Sequence, residues 1–111
     1  MADAAVVGSV RRYLDVLLRE HALDVRQGVL FGSHARGQAD AWSDIDVVVV
    51  ADRFDAGIAR ADVELLWWVA TLVDSRIEPI PCGNRQWSED QSSAIIEIAR
   101  REGQIILPDA A

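Results

Sequence analysis

The chain has 111 residues, of which 50% are hydrophobic, so it can form one compact domain with a hydrophobic core but not two. We therefore expect a single domain over residues 1–111. Its formal net charge of -7 argues against a nucleic-acid partner, because such proteins gain much of their affinity from cationic contacts to phosphate. No apolar run is long enough for a membrane span and no signal peptide pattern is present, so we expect a cytoplasmic protein without membrane contact.

The cysteine and histidine content limits the kinds of metal site that are available. Cys82 is the only cysteine, and the two histidines, His21 and His34, lack the spacing of metal ligands. An internal disulfide and a multi-cysteine zinc site are therefore excluded. We expect any bound metal ion to have oxygen ligands, and we interpret Cys82 as a small core residue.

The first half of the chain predicts a helix followed by two strands. Apolar residues at helical spacing predict an amphipathic helix from about Asp3 to His21. A strand over Val25–Phe31 follows and stops at Gly32 and Ser33, where the next residues fit the start of a short helix. The segment Asp44–Val50 ends in four valines, which predicts a strand in the centre of the sheet with both faces covered.

The second half of the chain predicts alternating helices and strands. In chain order these are a helix over Ile58–Asp74, a strand over Arg76–Pro81, a helix over Glu89–Glu102 and a short strand over Gln104–Leu107. The two prolines in the first of these strands place it at a sheet edge or at a bulge. Ser88 and Gln91 have capping-box spacing at the start of the last helix, and Gly103 marks its end. We expect an α/β (α+β) domain with a mixed sheet of about four strands flanked by helices.

The segment that indicates chemistry joins Gly32-Ser33 to Asp44-Ile45-Asp46 across ten residues. Side chains alternate along a strand, so Asp44 and Asp46 point to the same face. Two carboxylates about 4 Å apart repel by on the order of 4 kcal/mol at an effective dielectric constant near 20, and a divalent cation removes this cost. Magnesium suits an oxygen site that takes further ligands from phosphates. Gly32 and Ser33 fit a phosphate-binding turn, because glycine allows close backbone approach.

This pattern resembles the minimal nucleotidyltransferases of the DNA polymerase β-like superfamily, whose signature is Gly-Ser, ten residues and then Asp-x-Asp. The flanking residues Ala35-Arg36-Gly37 and Ser43 also look like that family. The resemblance implies the polymerase β-like palm fold, two Mg²⁺ ions as cofactors and ATP as a substrate. It further implies a third carboxylate on a later strand, for which Glu78 is the candidate by position and Asp74 is the fallback.

The resemblance also assigns roles to individual residues. Asp44, Asp46 and Glu78 are expected to be the catalytic metal ligands, and Gly32 and Ser33 to hold the β- and γ-phosphates. For Arg36 two interpretations stay open, namely a contact to the triphosphate and an ion pair with an acid such as Asp40. His34 stands at a variable position of the motif, and we expect its side chain to face solvent.

The helix over Ile58–Asp74 has more apolar surface than packing on a sheet requires. Val63, Leu66, Trp67, Ala70 and Val73 form one stripe, and Leu65, Trp68 and Leu72 form another. We expect the second stripe to contact a protein, in a homo- or hetero-oligomer, unless Trp87 or the terminal strand covers it.

Three functions are consistent with the sequence. The resemblance implies transfer of AMP to a hydroxyl of a partner protein, as antitoxins of this family do to a tyrosine of HEPN-type toxins. One alternative is a small-molecule nucleotidyltransferase of the aminoglycoside type that works with a helical partner subunit. The other is a non-catalytic antitoxin that masks its partner.

Overall fold

The computed structural model describes residues 2–109 and contains a mixed four-stranded sheet. The strands are β1 (Val25–Phe31), β2 (Ile45–Ala51), β3 (Ile77–Gly83) and β4 (Gln104–Ile106). They lie in the order β3-β2-β1-β4; β1 is antiparallel to β2 and β4, whereas β2 is parallel to β3. The predicted mixed sheet is confirmed, with the valine-rich strand inside and the proline-containing strand at an edge.

Helices cover both faces of this sheet. They are α1 (Ala4–His21), α2 (Arg60–Val73), α3 (Asn84–Glu89) and α4 (Ala94–Glu102), and a short 3₁₀ helix (Asp52–Ala56) follows β2. Helices α1 and α2 belong to one hydrophobic cluster, and α4 belongs to a second cluster on the opposite side. None of the helices within residues 2–109 is long and apolar enough to cross a membrane.

The side chains of β2 alternate between the two faces of the sheet, so its four valines are buried on both sides. Val47 and Val49 belong to the cluster with α1 and α2, whereas Val48 and Val50 pack with Cys82 in the cluster with α4. Cys82 is a core residue, as predicted, and burial raises the pKa of its thiol to about 11. Because side chains alternate along a strand, Asp46 shares the α4 side of the sheet with Val48 and Val50.

The helix predicted over Glu89–Glu102 is wrong in its first part. Helix α3 ends at Glu89 and α4 begins only at Ala94. Between them the Asp90 carboxylate accepts hydrogen bonds from the backbone N–H and the hydroxyl of Ser92, both at 2.7 Å, which holds the chain in a turn. The N-cap of α4 is therefore Ser93, not Ser88, and its hydroxyl accepts the Ile96 N–H.

Three apolar side chains on the solvent side of α2, which we call the outer face of α2, are exposed. Trp68 is 61% exposed, Leu72 is 60% and Trp67 is 45%. The expectation that Trp67 faces the sheet is wrong, since Leu66, Val69 and Ala70 are the buried residues of the helix; Leu65 is half-buried against the core rather than exposed.

Neither Trp87 nor the terminal strand β4 covers the outer face of α2. Trp87 packs in the cluster with α4, on the opposite side of the sheet, and β4 lies at the sheet edge beyond β1. Within the part of the chain that the structure describes, this apolar face is open to solvent.

Candidate active site

Sheet register brings two of the predicted acids side by side. Asp46 on β2 pairs directly with Glu78 on the parallel strand β3, so their side chains lie on the same face of the sheet. Asp44 stands two residues before Asp46, just ahead of β2, and is exposed. Glu78 is near enough to both aspartates for their charges to raise its pKa. The three acids predicted for the site are therefore neighbours at the start of two adjacent strands.

Asp74, the fallback for the third acid, has a different role. It follows α2, and its carboxylate accepts two hydrogen bonds from the Arg76 guanidinium, at 3.0 and 2.8 Å. This pairing is the main cause of a lowered pKa for Asp74. The structure places Glu78, not Asp74, beside the Asp-x-Asp segment.

Burial and, after it, the charges of neighbouring acids raise the pKa values of Asp46 and Glu78. Burial and the charge of Asp44 raise the pKa of Asp46. Burial, followed by the charges of Asp44 and Asp46, raises the pKa of Glu78. The fully ionised cluster is therefore unfavourable, and either a proton or a cation relieves it.

The donor set fits a magnesium ion that also binds phosphate. Within residues 2–109, no three acidic, histidine or cysteine side chains converge closely enough to hold a metal ion by themselves. Magnesium usually takes one or two protein carboxylates and completes its shell with water and substrate phosphates. The carboxylates of Asp44 and Asp46 are of the ligand type that such a shared ion takes, and Glu78 lies near them.

The glycine-serine turn packs directly against the Asp46 carboxylate. Phe31, the last residue of β1, pairs with Asp46, and Gly32 follows it with a φ of 79°. A Cβ atom at Gly32 would overlap Asp46 Oδ2. The turn backbone and the carboxylate are therefore in contact, and only glycine allows this approach.

The short helix expected to start at Ser33 is replaced by a hydrogen-bonded turn over residues 33–37. The Arg36 N–H donates to the Gly32 carbonyl at 3.2 Å, and the Gln38 N–H donates to the Ser33 carbonyl at 2.9 Å. Gly37 has a φ of 69°, which is left-handed backbone and ends the helical path after a single turn.

Arg36 lies close to the acids of the site and forms an ion pair, with Glu102 rather than with Asp40. Its guanidinium is 3.5 Å from Glu102 at the end of α4. Asp40 instead accepts hydrogen bonds from the Trp42 N–H and the Ser43 hydroxyl, so the pairing of Arg36 with Asp40 is wrong. The charge of Arg36 also opposes part of the rise in the pKa of Asp46 that burial and Asp44 cause.

The expected position of the His34 side chain is wrong. We expected it to face solvent, but it is only 7% exposed and its Nε2 lies 3.1 Å from the Ser43 carbonyl oxygen. The partner is a backbone atom nine residues away, and hydrophobic periodicity carries no signal for such a contact.

The raised pKa values predict that removing a charge from the site stabilises the metal-free domain. Because the pKa of Glu78 is higher in the folded chain than its ordinary value of 4.5, its contribution to stability is present at acidic pH and lost as pH rises through the folded pKa. We expect Glu78→Gln to raise the free energy of unfolding at pH 7 by roughly 0.2–1 kcal/mol, the range for solvent-screened charge pairs. The free energies of unfolding of Glu78→Gln and wild type should become equal below pH 4.

Urea unfolding in the presence of a chelator, repeated across this pH range, measures the difference. Glu89→Gln is the control, since Glu89 is an exposed acid at the end of α3. This substitution should leave the pH dependence of the free energy of unfolding unchanged. A Glu78→Gln domain less stable than wild type at pH 7 would contradict the account of the cluster.

Comparisons with known proteins identify the family and the fold. The model of the nucleotidyltransferase domain matches residues 10–101. A comparison with curated proteins gave no significant match.

Solved structures share the fold at low sequence identity. A protein from Sulfolobus solfataricus assigned as a nucleotidyltransferase is 14% identical with a TM-score of 0.62, over 91% of this chain and 78% of that one. A toxin-antitoxin complex with AMP-PNP is 20% identical with a TM-score of 0.61, over 90% and 74% of the two chains. A third structure is a mutant of the toxin-antitoxin pair MntA-HpeT, in which two aspartates separated by one residue are changed to glutamate. It is 17% identical with a TM-score of 0.58, over 90% of this chain and 74% of that one. Because the family model spans most of its length, the chain belongs to the nucleotidyltransferase domain family.

Proposed function

We propose that the chain transfers AMP from ATP to a hydroxyl group of a partner protein and releases pyrophosphate. The observation that carries this proposal is the contact between the Gly32 turn and the Asp46 carboxylate, with Glu78 on the adjoining strand. A backbone suited to phosphate and acids suited to a metal ion thus lie against each other, in a chain of the nucleotidyltransferase family.

In the proposed reaction the acceptor oxygen forms a bond to the α-phosphorus of ATP, and the bond from that phosphorus to the oxygen bridging to the β-phosphate breaks. Glu78, whose pKa burial and the two aspartates raise, accepts the proton of the attacking hydroxyl. Gly32 and Ser33 hold the β- and γ-phosphates, with the charge of Arg36 nearby. The domain contributes mainly positioning, as phosphoryl transfer generally requires.

Two Mg²⁺ ions held by Asp44 and Asp46, with Glu78 at the same site, would neutralise the charge of the triphosphate and of the leaving pyrophosphate. The carboxylate oxygens of the three residues are the ligand type that this ion prefers.

We infer that the acceptor is a toxin of the HEPN type and that the chain is its antitoxin. Two of the structures with the same fold come from toxin-antitoxin complexes, one of them solved with AMP-PNP. The outer face of α2, with Trp67, Trp68 and Leu72 exposed, supplies the apolar surface that a protein partner needs.

Label transfer tests the proposed activity. The chain is incubated with Mg²⁺, ATP labelled at the α-phosphate and the product of the adjacent gene, and we expect label on that protein with the mass increase of AMP. Neutralisation of the toxin without label would indicate masking. In a parallel reaction with an aminoglycoside in place of that protein, label on the aminoglycoside would indicate the small-molecule alternative. Either result would overturn protein modification as the function.

The partner surface predicts a strong effect of one substitution. We expect Trp68→Ala to weaken binding of the toxin by at least about 30-fold, since a buried tryptophan at an interface commonly contributes 2 kcal/mol or more. Trp42→Ala is the matched control, because Trp42 is 90% exposed but lies on the loop before β2 rather than on α2. Calorimetric titration measures both affinities, and equal binding by Trp68→Ala and wild type would exclude this face.

A further inference from the structure

In the loop between the two halves of the site, residues 38–43, hydrogen bonds join Asp40 to Trp42 and Ser43. The Asp40 carboxylate accepts the Trp42 N–H at 2.9 Å and the Ser43 hydroxyl at 3.2 Å. The Ser43 N–H donates to the Asp40 carbonyl at 3.3 Å. These bonds shape the loop, but they leave open how it is placed relative to the phosphate turn.

The start of the loop is joined to the turn by the Gln38 N–H, which donates to the Ser33 carbonyl at 2.9 Å. The end of the loop, at Ser43, is joined to the turn by His34. Its side chain is 7% exposed, and its Nε2 lies 3.1 Å from the Ser43 carbonyl oxygen. A carbonyl oxygen only accepts hydrogen bonds, so Nε2 carries the proton and donates. This bond spans the segment between Ser33, proposed to hold phosphate, and Asp44, proposed to hold metal.

The hydrogen bond between His34 and Ser43 restrains the backbone next to Asp44. Ser43 directly precedes Asp44, and the Ile45 N–H next to it donates to the Arg76 carbonyl at 2.8 Å. The backbone on either side of Asp44 is therefore held by a hydrogen bond, to His34 before it and to Arg76 after it. The Arg76 guanidinium reaches the same loop only at its limit, 3.4 Å from the Ala41 carbonyl on the surface.

We propose that His34 is a positioning residue for nucleotide transfer, because its Nε2–H holds the Ser43 carbonyl and so sets the separation between the phosphate turn and the aspartates. The inference rests on the proposed function, since it assigns the two ends of this bond to one reaction. A displacement of about 1 Å in such a site lowers a rate by on the order of 100-fold, so a lost hydrogen bond here acts on catalysis without contact to substrate.

Two amide substitutions separate this role from simple packing. His34→Gln places an amide N–H near the position of Nε2, whereas the shorter His34→Asn places it near Nδ1 and leaves Ser43 without its donor. We expect His34→Gln to keep kcat within about threefold of wild type and His34→Asn to lower it by about 10- to 100-fold. The KM for ATP should change less than kcat, because Gly32 and Ser33 remain in place. Equal kcat values for the two variants would overturn the proposal.

Two measurements that do not depend on activity test the role of His34 separately from the proposed nucleotide transfer. Long-range nitrogen–proton NMR on the full chain should show the proton of His34 on Nε2. Amide hydrogen exchange at Ser43 and Asp44 should be faster in His34→Asn by about tenfold or more, and unchanged in His34→Gln. If wild type transfers no nucleotide but these readouts hold, the proposed function fails and the hydrogen bond stands. If transfer occurs while exchange and ring protonation differ from expectation, the role of His34 is refuted.

Discussion

Asp46→Asn is expected to lower the rate of AMP transfer by about 1,000-fold while the domain stays folded. The asparagine keeps the shape of the side chain but removes the charge that would balance a metal ion between the Gly32 turn and Glu78. Losses of on the order of 100- to 1,000-fold are typical when one preorganised electrostatic group is removed from an active site. Single-turnover transfer of labelled AMP at saturating Mg²⁺ measures the effect.

The control for this variant is an acid at the other end of the same strand. Asp52 directly follows β2 and pairs with Arg26 on the surface at 2.6 Å, so Asp52→Asn removes the same charge without touching the site. It should keep full activity. Because burial and Asp44 raise the pKa of Asp46, the metal-free Asp46→Asn domain should be no less stable than wild type at pH 7. Full activity of Asp46→Asn would remove this residue from the mechanism.

Gly32→Ala is expected to damage both the fold and the activity. Gly32 has a φ of 79°, which an L-residue adopts at a cost of about 1–2 kcal/mol. In addition, the new Cβ would overlap Asp46 Oδ2 and push the carboxylate away from the turn. We expect a loss of about 1–3 kcal/mol in the free energy of unfolding and a fall of about 100-fold in the rate of transfer, measured by urea unfolding and by label transfer.

Gly57 provides a matched control for the backbone strain. It has a φ of 116°, and a Cβ atom placed on it would have no neighbour within 4 Å. Gly57→Ala should therefore lose stability, by about 1–3 kcal/mol, and retain its activity under conditions where it is folded. If both alanine variants kept full activity, the contact between Gly32 and Asp46 would have no role in the reaction.

The sheet was predictable because its strands carry unambiguous physical signals. The valines of β2 fit a strand that is buried on both faces, and Pro79 and Pro81 fit an edge strand. The placement of Glu78 was available only from the family resemblance. Nothing in the residues alone specifies the parallel register that sets Glu78 beside Asp46.

Two elements differ from prediction because local hydrogen bonds compete with the hydrophobic periodicity. Helix α4 begins at Ala94 rather than Glu89 because the Asp90 carboxylate binds Ser92 and Ser93 takes the N-cap. The turn after Ser33 does not extend into a helix because Gly37 has a positive φ. Such contacts depend on one or two side chains, so an apolar pattern does not reveal them.

The burial of His34 and the exposure of Trp67 depend on tertiary packing, which a sequence pattern does not predict. The burial of His34 follows from a loop that folds back so that the Ser43 carbonyl meets its ring. Trp67 stands at helical spacing from core positions, yet the rotation of α2 on the sheet buries Val69 and leaves Trp67 outside. In both residues the outcome is decided by the packing of elements distant in sequence.

The most direct test is a crystal structure of the chain with Mg²⁺ and a non-hydrolysable ATP analogue. We expect metal density at the carboxylates of Asp44 and Asp46, with the β- and γ-phosphates against the backbone of Gly32 and Ser33. A triphosphate bound elsewhere on the domain, with the two aspartates free of metal, would contradict the central claim.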